Sequence, residues 1–233
     1  MTDDANPWPA VPSEPPYWLP CDSEYLRTFN AIHLSERYRI QDRVLPEPFI
    51  GSTTAPVVLL NLNPGFVCRD LNDHAGPELQ SLIRNNYRQA QSGFPFYSLD
   101  PRFENGGRQY WEKKLRWVVE ACGPEQVARN VLCIEYFPYH SLRFRHESLE
   151  LPSQEFGFKL ACSAIERKAV IVVMRAERLW RQKIPELGNY PRAFTLNSPQ
   201  NPTVSPRNCP REGFDLVVSA IRGGQTHGGS KSK

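Results

Sequence analysis

The stretch Val57-Val58-Leu59-Leu60-Asn61-Leu62-Asn63-Pro64-Gly65 decides how this chain is read. Four β-forming apolar residues run into an Asn, and turn residues close the segment. A short continuous apolar run bounded in this way suits a strand buried on both faces. Three more such runs follow, at Val131 to Tyr136, Ala169 to Met174 and Arg192 to Asn197. Between and around them lie helical patterns: Asp22 or Ser23 to about Tyr38, Pro77 to Ala90, Tyr110 to Ala121, Gln154 to Arg167, Glu177 to Lys183 and Gly213 to Ile221. Strands alternating with helices predict an α/β fold, a three-layer α/β/α sandwich around a central, mainly parallel four-stranded sheet. Pro46 to Thr54 reads as a loop.

The length of 233 residues fits one domain, expected over 21–222. Residues 1–20 are proline-rich and read as an extended arm that docks on the surface without helix. Residues 223–233, rich in Gly, Ser and Lys, read as a disordered tail. An apolar fraction of 40% supports a real core. No run approaches the roughly 20 apolar residues of a membrane span, and the acidic N-terminus lacks the pattern of a secretion signal. The six cysteines (Cys21, Cys68, Cys122, Cys133, Cys162, Cys209) are scattered without a C-x-x-C pair. They read as free thiols of a reducing, cytoplasmic protein; neither a metal nor another cofactor is expected.

In parallel sheets the functional loops lie beyond the carboxyl ends of the strands. That rule selects Asn61 to Gly65, Glu135 to Ser141, Met174 to Ala176 and Asn197 to Asn208. In the first, Pro64 fixes a turn and Gly65 admits close backbone approach, leaving the Asn63 amide free to position a water. The alternative there is an ordinary Asn-Pro-Gly turn. In the second, Glu135 ends an apolar strand beside aromatic rings, a setting that raises a carboxyl pKa; pairing with an Arg is the competing outcome. Net charge is only +3, but Arg143, Arg145 and His146, Arg175, Arg178 and Arg181, and Arg207 and Arg211 form basic clusters, several of them after strand ends where phosphates would pass. Exposed helix charges without a partner are the plainer account of Arg178 and Arg181. His74 and His140 are auxiliary candidates, although a lone His near aromatic residues is more often structural.

In order, these segments resemble the uracil-DNA glycosylase superfamily over roughly residues 45 to 222. Asn61-Leu62-Asn63-Pro64-Gly65 is similar to the G-x-N-P-G motif of its mismatch-specific and single-strand-selective branches. Gly93-Phe94-Pro95-Phe96 resembles the segment supplying the ring that stacks on the flipped base, and Ser205-Pro206-Arg207-Asn208 the later part of an H-P-S-P-R-N motif that enters the duplex. The resemblance implies that Asn63 holds the attacking water, and that Leu62, Phe66, Phe96, Tyr97 and Glu135 form the base pocket. It also implies that Ser205, Pro206, Arg207, Asn208, Arg175 and Arg143 contact DNA. The motif's His is replaced, with Thr203, Asn201 or Asn197 in its place depending on register, so Asn197 or Asn201 would donate to the leaving base.

Glu135 stands where the superfamily usually carries an Asn that reads uracil. An ionised Glu only accepts hydrogen bonds, whereas cytosine presents an N4 amino donor. The expected activity is therefore a monofunctional DNA N-glycosylase, acting as a monomer on a cytosine-type base. Phage-defence glycosylases that excise glucosylated hydroxymethylcytosine are the comparison for a modified base. A catalytically silent nucleic-acid-binding module and an N-glycosidase of free nucleosides are the competing expectations.

Overall fold

The computed structural model describes residues 5–33 and 35–223. The expected disordered tail, beyond Gly223, lies outside the described residues. Five strands form one mixed sheet: β1 (Phe49–Gly51), β2 (Val57–Asn61), β3 (Val131–Glu135), β4 (Val170–Val173) and β5 (Ala193–Thr195). Their order is β1-β3-β2-β4-β5. The last four are mutually parallel, and β1 joins β3 antiparallel. All residues of β2, β3 and β4 are buried, as continuous Val/Ile/Leu runs require in a covered parallel sheet.

The sheet thus has five strands where four were expected, because the segment read as a loop contributes β1. That strand is three residues long and follows Pro46 and Pro48, so it carries no periodic signal. Gly51 permits its close pairing: φ is +115°, and a Cβ there would lie 2.2 Å from the Val131 carbonyl oxygen.

Eight α-helices occur among the described residues: α1 (Ser23–Ile32), α2 (Asp70–Asp73), α3 (Pro77–Tyr87), α4 (Gly106–Cys122), α5 (Pro124–Asn130), α6 (Gln154–Glu166), α7 (Glu177–Lys183) and α8 (Gly213–Ile221). Helix α4 starts at Asn105, whose side chain accepts from the Arg108 N–H at 2.8 Å, and stops at Gly123 with φ +83°. It therefore begins four residues before the expected Tyr110. Helix α5 was not apparent as a separate element; Gly123 breaks the chain and Pro124 restarts it at the first helical position. Helix α6 packs on β3 and β4, and α8 on β2 and β4. None of these helices is long and apolar enough to cross a membrane.

The N-terminal segment departs most from expectation. It makes a 3-10 turn at Trp8–Ala10, and Trp8, Val11, Tyr17, Trp18 and Leu19 are buried in the main core. Tyr139 holds it polar-side as well: its hydroxyl accepts from Leu19 N–H and donates to Asp22 at 2.7 Å. Arg84 donates to the carbonyls of Val11 and Pro12. The aromatic and leucine side chains bury too much apolar surface for this segment to ride on the outside.

Candidate active site

Parallel pairing sets Asn61 opposite Glu135 in the last register position of β2 and β3. Both residues line a cavity of about 750 Å³ beyond these strand ends, together with Leu62, Asn63, Phe66, Tyr97, Tyr110 and Arg175. Asn61 Nδ2 donates to Glu135 Oε1 at 3.0 Å. The other oxygens of the pair, Asn61 Oδ1 and Glu135 Oε2, are buried without a hydrogen-bond partner. Burial pushes the Glu135 carboxyl up to about 8, against the Asn61 hydrogen bond and the Arg175 charge, which lower it. At neutral pH the pair therefore offers an acidic O–H donor beside an amide acceptor.

On the next loop, Asn63 Nδ2 donates to the Pro64 carbonyl at 2.9 Å and to Ser141 Oγ at 3.1 Å. Its Oδ1 carries no such tie. Gly65 pairs with Ser141 in an isolated parallel bridge, so the Asn61–Gly65 loop and the segment after β3 continue the sheet's pairing past the strand ends.

A second polar group stands on the same cavity: Glu47, His74 and His140. His140 Nδ1 donates to the Gly65 carbonyl at 2.7 Å, and its Nε2 lies 3.4 Å from Glu47 Oε2. Tyr97 donates its hydroxyl to Glu47 Oε1 at 2.5 Å. Burial raises the Glu47 carboxyl and, with His140 beside it, holds His74 well below the ordinary imidazole range. Each of the three residues brings one ligand atom within 4.8 Å of the others, a composition that resembles a divalent-cation site. The hydrogen bonds oppose that use. His74 Nδ1 accepts from the Leu45 N–H at 3.1 Å, so the neutral ring carries its proton on Nε2 and has no lone pair left for a metal.

Several expected site residues are elsewhere. Phe96 is fully buried, edge-on to Trp111 with ring centroids 5.1 Å apart, so it is a core residue rather than a stacking face. Phe66, Tyr110 and Phe144 line the cavity instead. Asn197 and Asn201 do not line it: Asn197 Nδ2 donates to the Arg207 carbonyl at 3.4 Å, and Asn201 Oδ1 accepts from Lys114 Nζ at 2.8 Å. Asn208 holds its own loop, accepting from Ser198 N–H at 2.7 Å and donating to the Thr203 carbonyl at 2.9 Å. Ser205 is buried against the same loop, accepting from Asn208 N–H, while Pro206 and Arg207 are exposed at its tip. Arg143 and Arg175 do line the cavity, and Arg175 reaches the Gln200 carbonyl at 3.3 Å.

Glu47 and Tyr110 were missed. Glu47 sits in the unrecognised β1 approach, and Tyr110 reads as one more aromatic of an amphipathic helix; only the packing of α4 places it beside Asn61 and Glu135. No family model, curated protein or solved structure matches the chain.

Proposed function

We propose that the chain is a monofunctional DNA N-glycosylase that excises a cytosine-type base, with helices on both faces of the parallel strands in the three-layer manner of uracil-DNA glycosylases. The observation that carries this reading is the Asn61–Glu135 pair: a buried carboxyl held neutral at the cavity floor, with a free acceptor beside it. A flipped cytosine presents N3 as acceptor and N4–H as donor. Glu135 O–H would donate to N3 while Asn61 Oδ1 accepts from N4–H.

Leaving-group chemistry favours the same base. Cytosine departs poorly as an anion, because it has one carbonyl fewer than uracil over which to spread charge. A proton delivered to N3 as the C1′–N1 bond breaks lets it leave neutral. A buried acid with a pKa near 8 is suited to that transfer at neutral pH. Water held by Asn63 Oδ1 adds to C1′, the bonding pair goes to N1, the water's proton goes to solvent, and Glu135 is reprotonated. An abasic site remains in an intact backbone. An acid at Glu135 also supplies what the replaced His and the distant Asn197 and Asn201 do not.

Phe66 and Tyr110 offer ring faces to the flipped base, and Arg143 and Arg175 at the cavity suit flanking phosphates. The cavity exceeds a pyrimidine and reaches Glu47, His74 and His140, leaving room for a polar 5-substituent such as hydroxymethyl or its glucosylated form. The test incubates the protein with DNAs carrying uracil, mismatched thymine, cytosine, hydroxymethylcytosine and glucosylated hydroxymethylcytosine, followed by alkaline cleavage of abasic sites. Alkali-labile sites at cytosine-type bases, lost in Glu135→Gln and in Asn63→Ala, are expected. Excision of uracil alone would overturn the base assignment. Binding without any excision would favour the silent module, a reading supported by the absence of a histidine from the 197–208 loop.

A further inference from the structure

Asn63 stands at one end of a chain of hydrogen bonds that runs through Ser141 to His146. The Pro64 carbonyl is only an acceptor, so the Asn63 atom 2.9 Å from it is the amide nitrogen. That nitrogen is only a donor, so Ser141 Oγ, 3.1 Å away, accepts from it. Ser141 then has its own hydrogen to place. His146 Nε2 lies 3.0 Å from Oγ, and it accepts that hydrogen only if it is unprotonated. The neutral ring then bears its proton on Nδ1, which is buried without a partner.

His146 is completely buried, edge-on to Phe29 at 4.9 Å and against Phe137 and Phe144, both at 4.8 Å between ring centroids. Ser141 is buried as well, and its backbone is tied to Gly65 by the parallel bridge. Burial of the imidazole, with His33 nearby, keeps it neutral, its pKa lowered to about 4. A hydroxyl and an imidazole placed in an otherwise apolar packet are costly unless their hydrogen bond has a purpose.

We propose that Ser141 and His146 are positioning residues that act through Asn63: the relay His146 Nε2 ← Ser141 O–H, Ser141 Oγ ← Asn63 Nδ2 locks the amide so that Oδ1 faces the cavity as the water acceptor. The proposal rests on the glycosylase reading for what Asn63 does, and on hydrogen-bond geometry alone for how it is held. Without the relay the amide is tied only at Pro64 and loses one of its two anchors.

Two measurements on the full chain test it. Long-range ¹H–¹⁵N correlation spectra of the wild-type protein, assigned with His146→Phe, should show His146 protonated at Nδ1 and bare at Nε2; an Nε2–H tautomer overturns the relay. In single-turnover assays on DNA, at a temperature where the variant is fully folded, Ser141→Ala should lower the rate constant about tenfold, with DNA affinity within twofold of wild type. Ser141→Thr, which keeps the hydroxyl, should restore at least half of the rate. An unchanged rate in Ser141→Ala, or a loss of DNA affinity equal to the loss of rate, overturns positioning. The tautomer is read without substrate, so a protein that cleaves no DNA sinks the glycosylase reading while the relay stands or falls on the ¹⁵N spectra.

Discussion

Asn61 and Glu135 close the parallel pairing of β2 and β3 and face each other through a 3.0 Å hydrogen bond, Asn61 Nδ2 to Glu135 Oε1. The carboxyl beyond that bond is raised to about 8 by burial, so its acid form predominates at neutral pH and is lost as pH rises. If the acid form delivers the proton to the leaving base, single-turnover excision is flat through neutrality and falls about tenfold per pH unit above 8. Glu135→Gln, which can hydrogen-bond but not donate a proton, should lose this alkaline limb and about 10²–10⁴-fold in rate. A variant with the wild-type rate and limb would remove Glu135 from the chemistry.

The same shift predicts a stability effect that needs no substrate. The folded Glu135 keeps a proton between its ordinary value of 4.5 and about 8, while the unfolded chain releases it. Stability contributed at this site therefore declines as pH rises through that window. Glu47, also raised by burial, acts in the same direction and is unchanged by the test. Each pKa unit corresponds to about 1.4 kcal/mol. Glu135→Gln should be near wild type at pH 5, and on the order of 4 kcal/mol more stable at pH 9, roughly 10 °C in Tm for a chain of this size. Thermal melts at the two pH values decide it; equal differences at both would mean that the carboxyl is not protonated in the fold.

How much of this was legible in the sequence follows from which forces are local. Strand β2 and helices α7 and α8 match their expected bounds to the residue, since Val/Ile/Leu runs and amphipathic faces write burial directly into neighbouring positions. β1 was invisible because three residues between prolines and a φ-positive glycine have no period; β3 defines it. Asn63 and Glu135 line the cavity, as strand ends imply, because parallel register carries both past the sheet's carboxyl edge. Phe96 was misplaced for the opposite reason. Its segment resembles a base-stacking motif, but whether a ring points to Trp111 or to a cavity is decided by tertiary packing. The loop from Asn197 to Asn208 fails similarly: its asparagines satisfy loop carbonyls and Lys114, which no spacing rule reveals.

The reassignment of the stacking ring separates two variants. Phe96→Ala removes a fully buried ring packed on Trp111 and should cost about 3–5 kcal/mol of stability. Phe66→Ala should leave the melting temperature within about 1 °C, since that ring is only half-buried at the cavity. Its loss should instead weaken binding of DNA with a flipped base, by about 1–3 kcal/mol. Differential scanning fluorimetry beside fluorescence anisotropy separates the two. A Phe66→Ala protein that melts early but binds normally would return the stacking role to another ring.

Arg175 should report on DNA and on Glu135 together. It lines the cavity after β4, and its charge lowers the Glu135 carboxyl against burial. Removing it in Arg175→Ala leaves the acid still harder to ionise, so the alkaline limb of the rate profile should move to higher pH. If the guanidinium also contacts a phosphate, the slope of log K against log salt should fall by about 1. Arg143→Ala is the control, because the charges acting on Glu135 are those of Glu47 and Arg175: its slope should fall similarly while the limb stays in place. A limb that moves to lower pH in Arg175→Ala would show that Arg175 does not stabilise the ionised Glu135. An unchanged salt slope in both variants would take the phosphates away from this rim.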